Sequence, residues 1–360
     1  MFYKDYEIRS YHKKFKNQVI ALEKILWGDD FKKNNAYFEW KYENNPYDKE
    51  IIGAIGLYND KVVGFIGFTA LKWFLGNKKK AFYALIGADL CVHINHRRKG
   101  LYSAMAKLVN WKYRDSKYEL MLGFSSNQVS SSNSKKLGWE AFIQRKYLHW
   151  YNYRDLIKKR YIKKIINTSL GDKNRLGLFN DIEVTDKVNP NAMSNLRERI
   201  PLLVDRFVLC QDLDFYQWRF LNPSAKYLFY FAWEREKLAG YIVIECFEKI
   251  NAGKIVDYAY LDIRYFKKML KLLIERKHFC GLSILDHNLN EDIMETLHGL
   301  GFNNNYLIRQ LLLKKRNAKN KYYFVKPLKN EKKEDFWIID YLDVRKGVNW
   351  EVNEICSDVI

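Results

Sequence analysis

The sequence predicts an α/β protein with mixed sheets, built as two tandem domains of which the second is a degenerate copy of the first. Three observations carry this expectation. Residues 82–92 form an apolar, strand-like run that passes through a short basic turn into an apolar helix at 101–109. Apolar runs at 51–57 and 61–70, joined by Tyr58-Asn59-Asp60, read as a hairpin covered on both faces. The same features then return, in the same order, in the second half of the chain.

A first strand is expected at 6–10, followed by an amphipathic helix at 14–26 with Phe15, Val19, Ile20, Leu22, Ile25 and Leu26 near helical spacing. Tyr37-Phe38-Glu39-Trp40-Lys41-Tyr42 is dense in aromatics and is halted by Pro46. After the hairpin, the polar turn from Gly76 leads into 82–92. A further strand is expected at 118–124, and 125–134 reads as a polar loop entering a short helix. Residues 151–167 form a basic helical pattern, and 181–184 is a short strand candidate. The boundary therefore falls within 152–190, giving domains at 1–152 and 191–360 around a helical linker region at 153–190.

The repeat is read from ordered matches. Phe215-Tyr216-Gln217-Trp218-Arg219-Phe220 with Asn222-Pro223 echoes Phe38-Glu39-Trp40-Lys41-Tyr42 with Asn45-Pro46. A second hairpin at 227–233 and 238–244 places Gly240 opposite Gly64, and 255–263 matches the strand at 82–92. Residues 270–274 lie in a helix like 101–109, and Leu300-Gly301-Phe302 matches Leu137-Gly138-Trp139. The offset shrinks from 178 at the tryptophans to 176 at the hairpin glycines and 163 at the last glycines, as small deletions in a diverged copy would produce.

Composition narrows the function classes. Apolar residues at 48% and aromatics at 16% of 360 exclude a disordered chain. No apolar run has the length of a membrane span, and the first residues hold no signal-peptide core, so a cytoplasmic protein without a membrane partner is expected. Five scattered cysteines, none in Cys-x-x-Cys, imply reduced thiols and no metal site. The net charge of +20 suits a polyanionic small molecule; its lysines are spread along the chain and the aromatics form no RNA-binding pattern, so no nucleic-acid partner is expected. Oligomeric state is left open, a homodimer included.

The turn at Arg97-Arg98-Lys99-Gly100 is where chemistry concentrates. A strand delivered into a helix N-terminus leaves unpaired N–H groups and a positive dipole end at one spot, and the three cations stand beside it. The matching stretch in the second copy, Ile263-Arg264-Tyr265-Phe266-Lys267, has no glycine and carries bulky side chains, so that copy is expected to have lost the anion site.

The order L-x-V-x(4)-R-x-x-G, at Leu90, Val92, Arg97 and Gly100, resembles the pyrophosphate-loop motif of the GNAT superfamily of N-acyltransferases. The strand ending Met121-Leu122-Gly123-Phe124, then Asn127, then Lys136-Leu137-Gly138-Trp139, resembles that family's next strand, loop asparagine and closing motif. The chain departs from the family pattern at Ile94, where a proline is usual, and at Tyr102, where a small residue is usual. The resemblance covers the first 150 residues and implies a GNAT-like fold and an acyl-CoA donor. It also implies a thioester arm along Leu90, Cys91 and Val92, and a diphosphate on the backbone of Arg98, Lys99, Gly100, Leu101, Tyr102 and Ser103. The position of the family's frequent tyrosine acid is Ser134 here.

Direct acyl transfer requires an amine freed of its proton, and a side chain near the end of the strand could take it. Asp89 and His93 are the candidates, with the same strand parity as Cys91 and opposite to Leu90 and Val92 unless a bulge intervenes. Trp40, Lys41 and Tyr42, with Trp218 and Arg219, have two readings: anchors of each core, or walls of an acceptor site where rings stack and cations meet phosphate. Paired segments of this kind in a duplicated chain resemble nucleotide-sugar N-acyltransferases of polysaccharide biosynthesis. These transfer acetyl or a short hydroxyacyl group such as 3-hydroxybutanoyl to the amine of a dTDP-linked amino-dideoxy sugar. The alternatives are a Fem-like aminoacyl transferase and a non-catalytic acyl-CoA-binding protein.

Overall fold

The computed structural model describes residues 2–76, 80–124, 135–152, 176–201, 205–304, 321–329 and 333–357. The expected basic helix at 151–167 and the loop at 125–134 lie largely outside them. In the first half, strands β1 (Phe2–Tyr3) and β2 (Tyr6–Ser10) precede α1 (Lys16–Trp27) and α2 (Phe31–Phe38). The hairpin β3 (Ile52–Tyr58) and β4 (Lys61–Leu75) leads to β5 (Lys80–Val92), α3 (Leu101–Tyr113), β6 (Tyr118–Gly123) and β7 (Glu140–Gln144). Next come β8 (Tyr147–Tyr151), β9 (Gly177–Phe179), β10 (Ile182–Thr185) and β11 (Phe207–Leu209). The second half supplies β12 (Tyr227–Glu234), β13 (Lys237–Phe247), β14 (Ala252–Tyr260), β15 (Gly281–Leu285) and β16 (Tyr322–Pro327).

Two large mixed sheets result. One follows the order β1-β2-β3-β4-β5-β6-β16-β7, and the other β8-β15-β14-β13-β12-β10-β9. In both, parallel pairing stands among antiparallel pairs: β5 beside β6, with β11 beside Trp350–Glu351, in the first, and β14 beside β15 in the second. The sheets do not divide at 152 and 190. Tyr147–Tyr151 pairs with β15 of the second sheet, while the late strand Tyr322–Pro327 inserts between β6 and β7 of the first. Hydrogen bonding overrides chain order here, because each sheet is completed by a strand from the other half. Among the described residues, no helix is long and apolar enough to cross a membrane.

Residues matched between the halves of the sequence make similar contacts. A Cβ on Gly64 would stand 3.2 Å from the Met105 methyl of α3, and one on Gly240 would stand 3.1 Å from the Met269 methyl of helix Ile263–Glu275. Both glycines therefore let a helix seat closely on a central strand. Trp40 and Trp218 meet each other: their rings stack at 5.4 Å with 12° between planes. Each indole N–H donates to the other residue's carbonyl, at 2.8 and 2.7 Å. Reciprocal contacts of this kind are those of a local two-fold arrangement about the tryptophan pair.

Candidate active site

Pairing of β5 with β6 runs from Tyr83 to Ile86 and stops there. Among the described residues, 87–92 keep β4 on one side only, so main-chain groups on the other side are placed to receive an extended ligand. Leu90 and Val92 pack towards α3, while Cys91 packs under α1 and α2. A bulge in the β4–β5 ladder between Ile66 and Phe68 makes room for Asp89 on the α1/α2 side.

The turn that follows is held by its own backbone. His93 N–H donates to Val63 O at 2.8 Å, Arg97 Nε donates to Val92 O at 3.0 Å, and Tyr6 OH meets His96 Nδ1 at 3.0 Å. Arg98 and Gly100 have left-handed φ values of 62° and 86°. Gly100 is the N-cap of α3, which has no side-chain cap and no acidic residue in its first turn. Its first N–H groups lack the partner that a Ser, Asp or Asn cap would give. Arg97, Arg98 and Lys99 are exposed, and among the described residues none forms an ion pair. The corresponding helix of the second copy is capped by Asp262, whose carboxylate accepts from Arg264 N–H at 2.8 Å and pairs with the Arg264 guanidinium at 2.9 Å. The second copy thus carries its own anion where the first leaves the place open.

Gly100 is needed by the turn itself. A Cβ there would stand 2.4 Å from the Tyr3 hydroxyl, and the φ disfavours any side chain. Gly100→Val would therefore strain the fold before it touched a ligand, and variants at Arg98 and Lys99 are the cleaner probe.

Behind the strand lies a buried polar cluster. The segment Glu39–Glu43 closes a wide turn with Asn44 N–H on Glu39 O at 2.9 Å, and this brings Trp40, Lys41 and Tyr42 all inward. Tyr42 OH donates to Asp89 Oδ2 at 2.7 Å, its ring tip lying where a side chain on residue 67 would otherwise stand. Lys41 Nζ lies 3.1 Å from the same carboxylate oxygen, and both side chains of the pair are 2% exposed. Of the two readings of Lys41 and Tyr42, core anchor or acceptor wall, their contacts with Asp89 favour the first. Arg219 is likewise buried, donating to Ile355 O at 3.1 Å, Ser357 O at 2.7 Å and Tyr227 OH at 3.1 Å. It holds the C-terminal segment instead of facing solvent phosphate. Trp40 and Trp218 line the floor of a cavity of about 460 Å³, with Ala36, Pro46, Asp214 and Pro223 around them.

His93 stands at the end of β5 with its ring 5.7 Å from that of His96, and among the described residues no hydrogen bond joins it to Asp89. Burial, then the nearby Glu23 and Asp89, push the Cys91 thiol well above its ordinary range, which removes it as a nucleophile at neutral pH. Ser134 and Asn127 lie outside the described residues.

Sequence reasoning missed Glu23. It falls in the apolar stripe of α1, between Val19, Ile20 and Trp27, and that placement was the available signal. Glu23 is 1% exposed, and among the described residues its Oε1 has no hydrogen-bond partner. Burial, reinforced by Asp89 and opposed by Lys41, pushes its carboxyl up to about 9. The folded protein then holds a proton that the unfolded chain releases, so this group's stabilisation is complete at low pH and is lost as pH rises towards 9. Glu23→Gln should flatten the fall in thermal stability between about pH 5 and pH 9. Melting curves in which wild type and variant keep parallel pH dependence would show that Glu23 is not protonated in the fold.

Residues 7–142 match a family model described as acetyltransferase (GNAT) domain. No curated protein matches the chain. Among solved structures, a GCN5-related N-acetyltransferase from Anabaena variabilis aligns with TM-score 0.58 at 11% identity, over 90% of this chain and 73% of that one. A probable N-acyltransferase from Enterococcus faecalis aligns with TM-score 0.56 at 10% identity, over 90% and 73%. An N-myristoyltransferase from Saccharomyces cerevisiae, solved with bound myristoyl-CoA, aligns with TM-score 0.54 at 14% identity, over 90% and 79%. At these identities the likeness is one of fold. The match over residues 7–142 and the fold shared with these structures together support an acyltransferase.

Proposed function

We propose that the protein transfers an acyl group from acyl-CoA to the amine of a nucleotide-linked amino-dideoxy sugar, by direct attack of the amine on the thioester. The observation that carries the donor half is the uncapped N-terminus of α3, with three exposed cations beside it and a strand edge at 87–92, unpaired among the described residues, leading into it. The diphosphate accepts from the first N–H groups of the helix, and the pantetheine arm extends along Leu90, Cys91 and Val92. Holding the amine against the carbonyl supplies much of the rate. The buried, high-pKa Cys91 supports transfer without an acyl-enzyme. Acceptor choice rests on the sequence resemblance and the basic balance of the chain.

The second copy binds no CoA in this reading. Its helix end is already neutralised by Asp262, and segment 347–354 ties together the diverging ends of β14 and β15. Asn353 donates to Asp257 at 2.9 Å, and Asn288 donates to Trp350 O at 2.8 Å. Calorimetric titration should therefore give one CoA per chain, and two would overturn the assignment of the halves. Incubation with acetyl-CoA or 3-hydroxybutanoyl-CoA and a panel of dTDP-amino-dideoxy sugars should release free CoA only when an amine is present. CoA bound without turnover on any amine would favour the non-catalytic alternative, and turnover with aminoacyl-tRNA as donor would favour the Fem-like one.

A further inference from the structure

Asp89 has a counterpart. Gly64 pairs with Val92 and Gly240 with Tyr260, and the residue three places before each partner is Asp89 in one copy and Asp257 in the other. Both sit at a bulge in the ladder, between Ile66 and Phe68 in the first sheet and between Val243 and Ile244 in the second. Both are buried, at 3% and 0% exposure. Each binds a cation and a tyrosine hydroxyl: Lys41 at 3.1 Å and Tyr42 at 2.7 Å, against Arg197 at 2.8 Å and Tyr241 at 2.9 Å; Asp257 also accepts from Gln211 and Asn353 at 2.9 Å and from Tyr216 at 3.5 Å.

The cations do not correspond in the repeat, since the counterpart of Lys41 is Arg219. The carboxylate has kept its place while its partner has changed. It has also kept its place in the copy whose helix end is capped by its own aspartate. Whatever the two carboxylates share therefore does not require an acyl donor. What they share is geometric: each ties a kinked central strand to the helical layer above it.

We propose that Asp89 is a positioning residue and not the base that takes the amine's proton. Its carboxylate fixes Lys41 and Tyr42, and through them the wide turn Glu39–Glu43 that presents Trp40 to Trp218. Taking a proton from substrate would require a buried Oδ2 to give up both a lysine and a phenol. This inference rests on the acyl-transfer reading for its kinetic arm, whereas its stability arm does not.

The test compares Asp89→Asn, Asp257→Asn and the double variant Asp89→Asn/Lys41→Met by thermal unfolding and by the pH dependence of kcat/KM with acyl-CoA and an amine acceptor. Removing one member of a buried pair strands the other charge, so both single variants should lose about 10 °C in Tm. The double variant should recover most of that loss, keep kcat within about tenfold, and leave the acidic limb of the pH profile where wild type has it. A double variant that is stable but a thousandfold slower, with the acidic limb gone, would make Asp89 the base. An Asp89→Asn protein as stable as wild type would also overturn the proposal. If wild type acylates no amine, the proposed function fails, and the unfolding data still decide whether Asp89 holds the turn.

Discussion

Replacing Trp40 or Trp218 by alanine is expected to destabilise the fold by about 3–5 kcal/mol, the range for large buried aromatics. Each substitution removes a stacked ring and also leaves the partner's main-chain carbonyl without the indole N–H that donates to it. The double alanine variant should cost less than the sum of the singles, because the second truncation removes a ring whose partner is already gone. Chemical denaturation measures all three. Strict additivity would mean that the two tryptophans anchor separate cores, and the local two-fold contact would then carry no energy.

Arg98→Asn with Lys99→Ser is expected to weaken CoA binding about 100-fold, or about 2.8 kcal/mol, if each charge contributes about a factor of ten. The loss should shrink as salt is raised, since both side chains are exposed. Folding should be untouched, because asparagine tolerates the φ of 62° at position 98 better than arginine does. Unchanged affinity in calorimetry would remove the turn from the donor site.

Much of this was legible in the sequence where local pattern sets structure. The strand–turn–helix at 80–113, both hairpins and the helix at 16–27 follow from apolar periodicity. The tryptophan repeat was readable as a repeat, but nothing in one chain segment says that its two copies touch. The choice between the two readings of Lys41 and Arg219 was closed to the sequence for the same reason: a cation beside tryptophan suits a phosphate ligand or a core anchor until its buried acceptors, Asp89 and the carbonyls of Ile355 and Ser357, are in view. Those acceptors lie 48 and more residues away. Asp89 was legible as a carboxylate on the right strand, and its counterpart Asp257 became visible only through the ladder register.

The exchange of strands between the sheets bears on how the chain is made. The gap between β6 and β7 is filled by Tyr322–Pro327, so the first sheet stays incomplete until that strand has left the ribosome. At about 5–20 residues per second, the interval between Gln144 and Tyr322 is roughly 10–40 s. Throughout it, β6 and β7 present open hydrogen-bonding edges, the kind that recruit chaperones or pair with a neighbouring nascent chain. The amino-terminal half expressed alone would remain in that condition indefinitely. Adding the 321–329 peptide in trans should be what makes it soluble.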